Sequence, residues 1–236
     1  MKLNYFFENT KEFKHAELFD GIKYPWEALE KSQEYIQREV VDKNLTINDA
    51  ECKGNPYFEG NYIIGKGTVI HHGVTILGPV IIGENCNIAP GAYIRPYSII
   101  GDNCEIGHCA EIKNSIIQNG AKVQSKTFCG DSVLGACARI GSGAITANRR
   151  FDQGNIKFKY GEDPVEKIEL NTTFFGCVLG DYARVGANAV LQPGSIIGAY
   201  TLIFPGTNIR DFIPREKRAY HYSKILLADS PKVILE

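Results

Sequence analysis

Nowhere does this sequence hold an unbroken apolar run near the roughly 18 residues that a membrane-spanning helix requires, which excludes a helical membrane protein. Paired cysteines are missing too. The 7 cysteines (Cys52, Cys86, Cys104, Cys109, Cys129, Cys137 and Cys177) are odd in number and none forms C-x-x-C. Neither a disulfide framework nor a structural zinc site is expected from them. Surplus charge is absent as well: 26 Lys and Arg face 27 Asp and Glu, a net charge of −1, which gives no bulk attraction to nucleic acid. The opening residues, MKLNYFFENTKEFKHAELFD, scatter charges among the apolar side chains and lack a signal-peptide core. We therefore expect a soluble cytoplasmic protein with neither a membrane nor a nucleic-acid partner. With 44% hydrophobic and 22% charged residues, wholesale disorder is excluded. Glycine stands out, with 24 in 236 residues against a usual share of roughly 7%.

Glycine matters through its placement. From residue 64, isoleucine recurs at every sixth position: Ile64, Ile70, Ile76, Ile82, Ile88, Ile94, Ile100, Ile106 and Ile112. Four places after each of the first eight stands a small residue or valine, and glycine often follows the isoleucine directly, as at Gly65, Gly83, Gly101 and Gly107. The register slips at Ile117 and near Leu134, resumes at Ile140, and returns as Leu179, Val185, Leu191, Ile197, Ile203 and Ile209. A period of six fits neither a helix nor a plain alternating strand. It fits a short strand and a corner, repeated, with one large aliphatic pointing inward per side. Cys86 and Cys104, three hexads apart in the small position, read as packed thiols.

This pattern resembles the hexapeptide repeat of the left-handed β-helix acyltransferases, in which three hexads make one triangular coil. The resemblance implies the handedness and a homotrimer. The expected fold is all-β: a single-stranded left-handed parallel β-helix of about seven coils, on the order of 34 Å tall at the strand spacing. Residues 1–58 are expected to form a helical or irregular cap, 59–213 the β-helix with an inserted arm at 149–176, and 214–236 a tail. Within the cap, YPWEALEKSQEYIQREV reads as an amphipathic helix that sets Trp26, Leu29, Ile36 and Val40 on or near one face and covers the open first coil. The 149–176 break alternates apolar and polar residues around Gly161 and Pro164, as a hairpin would. It is either an arm reaching a neighbouring subunit or a solvated excursion. In the tail, KILLA reads as a short helix broken by Pro231.

Residues 79–152 carry more specific motifs: YIRPYSIIG, EIKNSIIQNGAKV, FCGDSVLG and RIGSGAITANRRFD. These resemble the acetyltransferase half of the bifunctional glucosamine-1-phosphate acetyltransferase/uridylyltransferases and their archaeal sugar-phosphate relatives. By that resemblance Arg95 and Lys113 hold a sugar phosphate, Asn148 lies near the amino group or acyl carrier, Lys157 is a further phosphate lysine, and acetyl-CoA or another acyl-CoA is the co-substrate. Arg95 and Lys113 are three hexads apart, so they stack on adjacent coils, and two converging cations call for an anion between them.

The amine end departs from the family. Its general base, a histidine, is replaced by Ser125, its tyrosine by Phe128, an asparagine by Arg139 and a further tyrosine by Arg149. A serine does not accept a proton near neutral pH, so either His108, from a neighbouring chain, is the replacement base or the substrate amine enters already neutral. No glycine-rich nucleotide loop or P-loop precedes the repeats, so nucleotidyl transfer is not expected. Three functions follow from the same residues. The first is an acyl-CoA-dependent acyltransferase, an acetyltransferase above all, acting on an amino-sugar phosphate or similar small amine, in UDP-N-acetylglucosamine-related chemistry. The second is a non-catalytic trimer that binds a sugar phosphate or nucleotide sugar. The third is a γ-class carbonic anhydrase-like zinc protein using His72 and His108, two coils apart. Its third ligand would fall at Lys113, a poor zinc ligand, so no metal is expected.

Overall fold

The structure is a computed structural model that describes residues 2–8 and 10–221; the KILLA stretch and Pro231 lie outside the described residues. The described chain winds into the expected all-β left-handed parallel β-helix, with two nine-stranded sheets and one eight-stranded sheet as its sides. Each strand pairs in parallel with the strand one coil later, as Ile82 with Ile100 on the first face, Ile88 with Ile106 on the second and Ile94 with Ile112 on the third. The recurring aliphatics all point inward and form one continuous core with the small residues between them. Cys86 and Cys104 are packed thiols in that core, donating to the carbonyls of Gly101 at 3.0 Å and Gln118 at 3.2 Å.

The stack has nine rungs rather than about seven. Strands at Thr46–Asn48, Glu51–Cys52 and Tyr57–Glu59 build a first coil, and Phe212–Ile213 and Arg218–Ala219 a last one. Both lack the six-residue aliphatic period because a terminal coil has a neighbour on one side only and is held more by its ladder than by core packing.

A second core covers the first face from outside. That face repeats an aliphatic pair: Ile81–Ile82, Ile99–Ile100, Ile116–Ile117, Val133–Leu134, Val178–Leu179 and Ile196–Ile197. Neighbouring residues of a strand point to opposite sides, so one of each pair faces out. All six outward members are buried, against Phe6, Phe7, Phe13, Leu18, Phe19 and Trp26 from the N-terminal segment and Phe158, Tyr160 and Phe175 from the 149–176 insertion.

The helix α1 (Glu27–Ile36) opens with its Glu27 carboxylate accepting the Lys23 N–H at 2.7 Å and the Tyr24 N–H at 3.2 Å, and it runs on into a wider turn at Gln37–Val41. Trp26, Leu29, Ile36 and Val40 are buried, as the sequence spacing predicts. The helix lies along the flank, however, and does not close the first coil, because the apolar surface that needs covering is the first face. The insertion is a hairpin, Lys157–Tyr160 antiparallel to Glu166–Glu169, that folds back onto its own chain. The Trp26 ring meets Phe158 and Tyr160 edge-on, each at 5.1 Å, so the hairpin is not a solvated excursion.

Candidate active site

With the first face covered, the second and third faces remain open, and the predicted site residues other than Lys157 and Arg139 fall at the two ends of the third. At its far end Arg95 and Lys113 follow the paired strand residues Ile94 and Ile112 and so occupy the same position on adjacent rungs. Each already has an anion: Arg95 Nη1 lies 2.8 Å from Glu111 Oε1 and Lys113 Nζ 3.0 Å from Asp131 Oδ2. The two cations therefore do not stand bare beside one another, and no ligand is required to separate them. Asp131, whose side chain is 4% exposed, is the hub. Besides Lys113 it accepts from Asn114 Nδ2 at 2.7 Å and from Asn148 Nδ2, so its burial is fully compensated by charge-assisted hydrogen bonds. Phe174, from the end of the insertion, lays its ring 4.4 Å from Lys113 Nζ and 5.2 Å from the Arg149 guanidinium. The structure thus joins Arg95, Lys113, Asn148 and Arg149. Lys157 is elsewhere, on the hairpin, paired with Glu169 at 3.2 Å.

The near end is the corner between the second and third faces. The Lys126 N–H donates to the His108 carbonyl at 2.8 Å and the Gly143 N–H to that of Ser125 at 3.0 Å, which stacks His108, Ser125 and Ser142 in one column. The sequence reading offers His108 of a neighbouring subunit as the base. Within one chain His108 also lies directly beneath Ser125, about 4.8 Å away at the backbone. His108 Nδ1 is 2.7 Å from the Pro90 carbonyl oxygen. A carbonyl only accepts, so Nδ1 carries a proton, and in the neutral ring the lone pair is on Nε2. From Ser125 to Gly130, the rung position of Lys113, is five residues, at most roughly 17 Å of strand.

Above Ser125 the column continues into a groove of about 440 Å³ lined by Ser142, Ala187 and Pro205 on the corner and by Arg139, Arg184 and Phe204 beside it. Arg139 lies directly opposite Arg184 in the second-face ladder, both exposed, and neither guanidinium has an ion-pair partner among the described residues. Like charges opposite one another destabilise a ladder, and no carboxylate pairs with either guanidinium among the described residues. Arg139 therefore belongs to the groove and not to the Lys113 cluster. Arg184 escaped sequence reasoning because the insertion falls between it and Arg139, which hides the three-hexad period. Asp131 was legible only as part of the C-G-D motif, and Phe174 carried no signal of its own.

His72 and His108 do share a column two rungs apart, and among the described residues no three His, Cys, Asp or Glu side chains gather to hold a metal ion. Among those residues no helix is long and apolar enough to cross a membrane.

A parallel β-helix built of six-residue repeats, three to a coil, defines a protein of the hexapeptide-repeat class. The chain belongs to the left-handed β-helix hexapeptide-repeat acyltransferase family. It is 33% identical over 180 residues to the uncharacterized acetyltransferase YaiX of Escherichia coli O6:K15:H31, covering 76% of both chains. It is 35% identical over 209 residues to the bifunctional protein GlmU of Methanococcus maripaludis strain C7, covering 89% of this chain and 49% of that one. It is 32% identical over 197 residues to the bifunctional sugar-1-phosphate nucleotidylyltransferase/acetyltransferase of Sulfurisphaera tokodaii, covering 84% and 47%. The family described as GMPPB C-terminal domain matches residues 76–185. The chain thus spans about half the length of the bifunctional relatives.

Proposed function

We propose that the protein is an acyl-CoA-dependent acyltransferase that acetylates a small amine bearing a phosphate, an amino-sugar phosphate above all, and that it works as a homotrimer. The observation that carries this reading is the corner groove. Arg139 and Arg184 offer paired guanidinium groups to the phosphates of the acyl-CoA, and Phe204 offers a ring for its base. Below them Ser142, Ala187 and Pro205 line a column that descends to Ser125 and His108. The sugar phosphate lies along the third face, its phosphate among Arg95, Lys113 and Asn148 and its amine toward the corner. Asn148 thus takes the phosphate side, because it is held by Asp131 next to Lys113. His108 Nε2, with its lone pair free, takes the proton from the attacking amine and returns it to the departing thiolate. Since the first face is covered by the chain itself, the second and third faces are the ones left for neighbouring subunits.

Thiol release from acetyl-CoA across a panel of amino-sugar phosphates tests the reading. We expect turnover that His108→Ala lowers by about 10²–10⁴ in kcat, with the KM for acetyl-CoA unchanged. Silence across the panel from a folded trimer would sink it and favour the second reading, a sugar-phosphate-binding trimer without catalysis. Ser125, in the place of the family's base, is the observation that supports that alternative. A thermal shift with a sugar phosphate that Lys113→Ala abolishes, without turnover, would establish it.

A further inference from the structure

The corner between the first and second faces repeats a glycine. Gly65, Gly83, Gly101, Gly135, Gly180 and Gly198 each follow the last inward aliphatic of the first face, and a Cβ on any of them would come within 2.4 to 2.7 Å of the next rung. After Ile117, where the register slips, this place is taken by Gln118. Gln118 is 1% exposed, and its Nε2 is buried with no hydrogen-bond partner. Its backbone is spent within the coils: the N–H donates to the Leu134 carbonyl at 2.9 Å, and the carbonyl accepts from the Ala121 N–H at 3.2 Å. A buried donor without an acceptor costs stability that an apolar side chain of the same shape would not. Gln118 stands in the wall of a cleft of about 530 Å³ between this corner and the N-terminal segment, at the opposite edge of the second face from the arginine groove. The lining holds the carboxylates of Glu8, Glu12 and Asp181 and no Lys, Arg or His. Asp181 accepts the Ala136 and Glu8 N–H groups, each at 2.7 Å, which fixes the N-terminal segment to the corner. Glu8 is paired with Arg215 at 2.8 Å, whereas Glu12 is exposed and makes no ion pair among the described residues. Tyr182 and Tyr200, on successive rungs, stack at 5.1 Å and 6° and are still 44% and 39% exposed. On the rungs before Tyr182 the corner column carries Cys137 and then Gly120, which has no side chain.

We propose that this cleft binds an uncharged purine nucleoside, with adenosine the closest match. Gln118 Nε2 calls for an acceptor, and a carboxamide sets a donor and an acceptor side by side, the complement of the adenine N7 and N6 edge. A flat ring laid against Tyr182 extends the tyrosine stack toward Cys137 and Gly120, where nothing bulky stands in its way. The Glu12 carboxylate accepts from ribose hydroxyls. With carboxylates and no cation in its lining the cleft repels a phosphate, so the ligand is the nucleoside and not the nucleotide. Its volume is that of a small-molecule site. The site is separate from the acyltransferase residues and stands whether or not the protein acetylates an amine.

Calorimetric titration of the full chain with adenosine, and separately with adenosine 5′-monophosphate, tests this. Saturable binding of adenosine is expected, with the monophosphate several-fold weaker. Gln118→Leu should weaken adenosine by at least ~10-fold while melting no lower than wild type, because it removes an unpaired buried donor. A glutamine that served the fold alone would show the reverse, a lower melting temperature with binding intact. Tyr182→Ala should weaken adenosine by about 10-fold, and Glu12→Gln, at the exposed rim, should weaken it and narrow its margin over the monophosphate. Absence of saturable adenosine binding, or a monophosphate that binds as tightly, overturns the assignment, as does a folded Gln118→Leu that binds like wild type. If Gln118→Leu does not fold, unchanged binding in both Tyr182→Ala and Glu12→Gln overturns it. Binding lost in Arg184→Ala and kept in those two variants would put the adenosine in the arginine groove and overturn it as well.

Discussion

Replacing Ile116 by alanine removes a side chain that is fully buried between the first face and the N-terminal segment, while Ile117, its neighbour, faces the solenoid core. Gln33 Nε2 donates to Asn114 Oδ1 at 3.3 Å, which sets α1 beside this rung. When the segment lifts away, Ile116 returns to water and Ile117 does not. Truncating a buried isoleucine costs about 2–5 kcal/mol. Taking about 3 kcal/mol for Ile116→Ala, with a factor of ten for each 1.4 kcal/mol, opening of the segment becomes on the order of 10² more frequent. Hydrogen exchange of the Glu27–Ile36 amides should accelerate by that factor, while amides in the second and third faces keep their rates. Ile117→Ala should do the reverse, loosening the rungs around it at a similar cost. If Ile116→Ala left the α1 amides unchanged, the docking of the helix on the first face would be wrong.

Other perturbations probe different parts. His15 is held neutral, its folded pKa pushed down by burial to about 4, against Tyr35 at 2.7 Å. An unfolded histidine takes up a proton near pH 6.5, so the unfolded state binds more protons between pH 6.5 and 4. Stability should fall through that window by on the order of 2–3 kcal/mol and stay level above it. Urea titrations of wild type and His15→Gln across the window should show the slope in the first only. Gly107→Ala would place a Cβ 2.4 Å from the Ser125 nitrogen, forcing the His108 and Ser125 rungs apart. A loss of about 1–3 kcal/mol and a lowered melting temperature are expected. Arg184→Ala should raise the KM for acetyl-CoA at least several-fold and flatten its dependence on salt, leaving the KM of the amine in place; equal effects on both would argue against the groove. Asp131→Ala leaves Lys113 without its carboxylate in a partly buried place, and about 3–5 kcal/mol of destabilisation should appear in thermal melts.

The inward half of the molecule was legible because one aliphatic at every sixth position leaves a single geometry that can bury it. The outward half was present in the same sequence as the doubled aliphatics of VIIG, YSIIG, NSIIQ and GSIIG. A strand must turn one member of each pair to the outside, and that apolar stripe called for a cover. The N-terminal aromatics supplied it, but nothing in the spacing of Phe6, Phe13 and Phe19 points to a particular face. Stacking at three-hexad intervals placed Arg95 on Lys113, yet the carboxylates that quench them come from different rung positions, Glu111 on the strand and Asp131 in the next coil's corner. The step from His108 to Ser125 is one position short of a full coil, because the register slips at Ile117, and so the regular period does not pair them.

In a stack of rungs each layer touches only the layers above and below, and such a structure can fray from either end one layer at a time. The N-terminal segment and hairpin change that, since their shared core holds the outward residues from Ile81 to Ile196. Layers far apart in the column are thereby tied to a common strap. Losing one of them exposes surface on the strap that all the others share. Melting of this prism should then resemble a single transition across the strapped rungs, with gradual unzipping confined to the first and last coils beyond its reach.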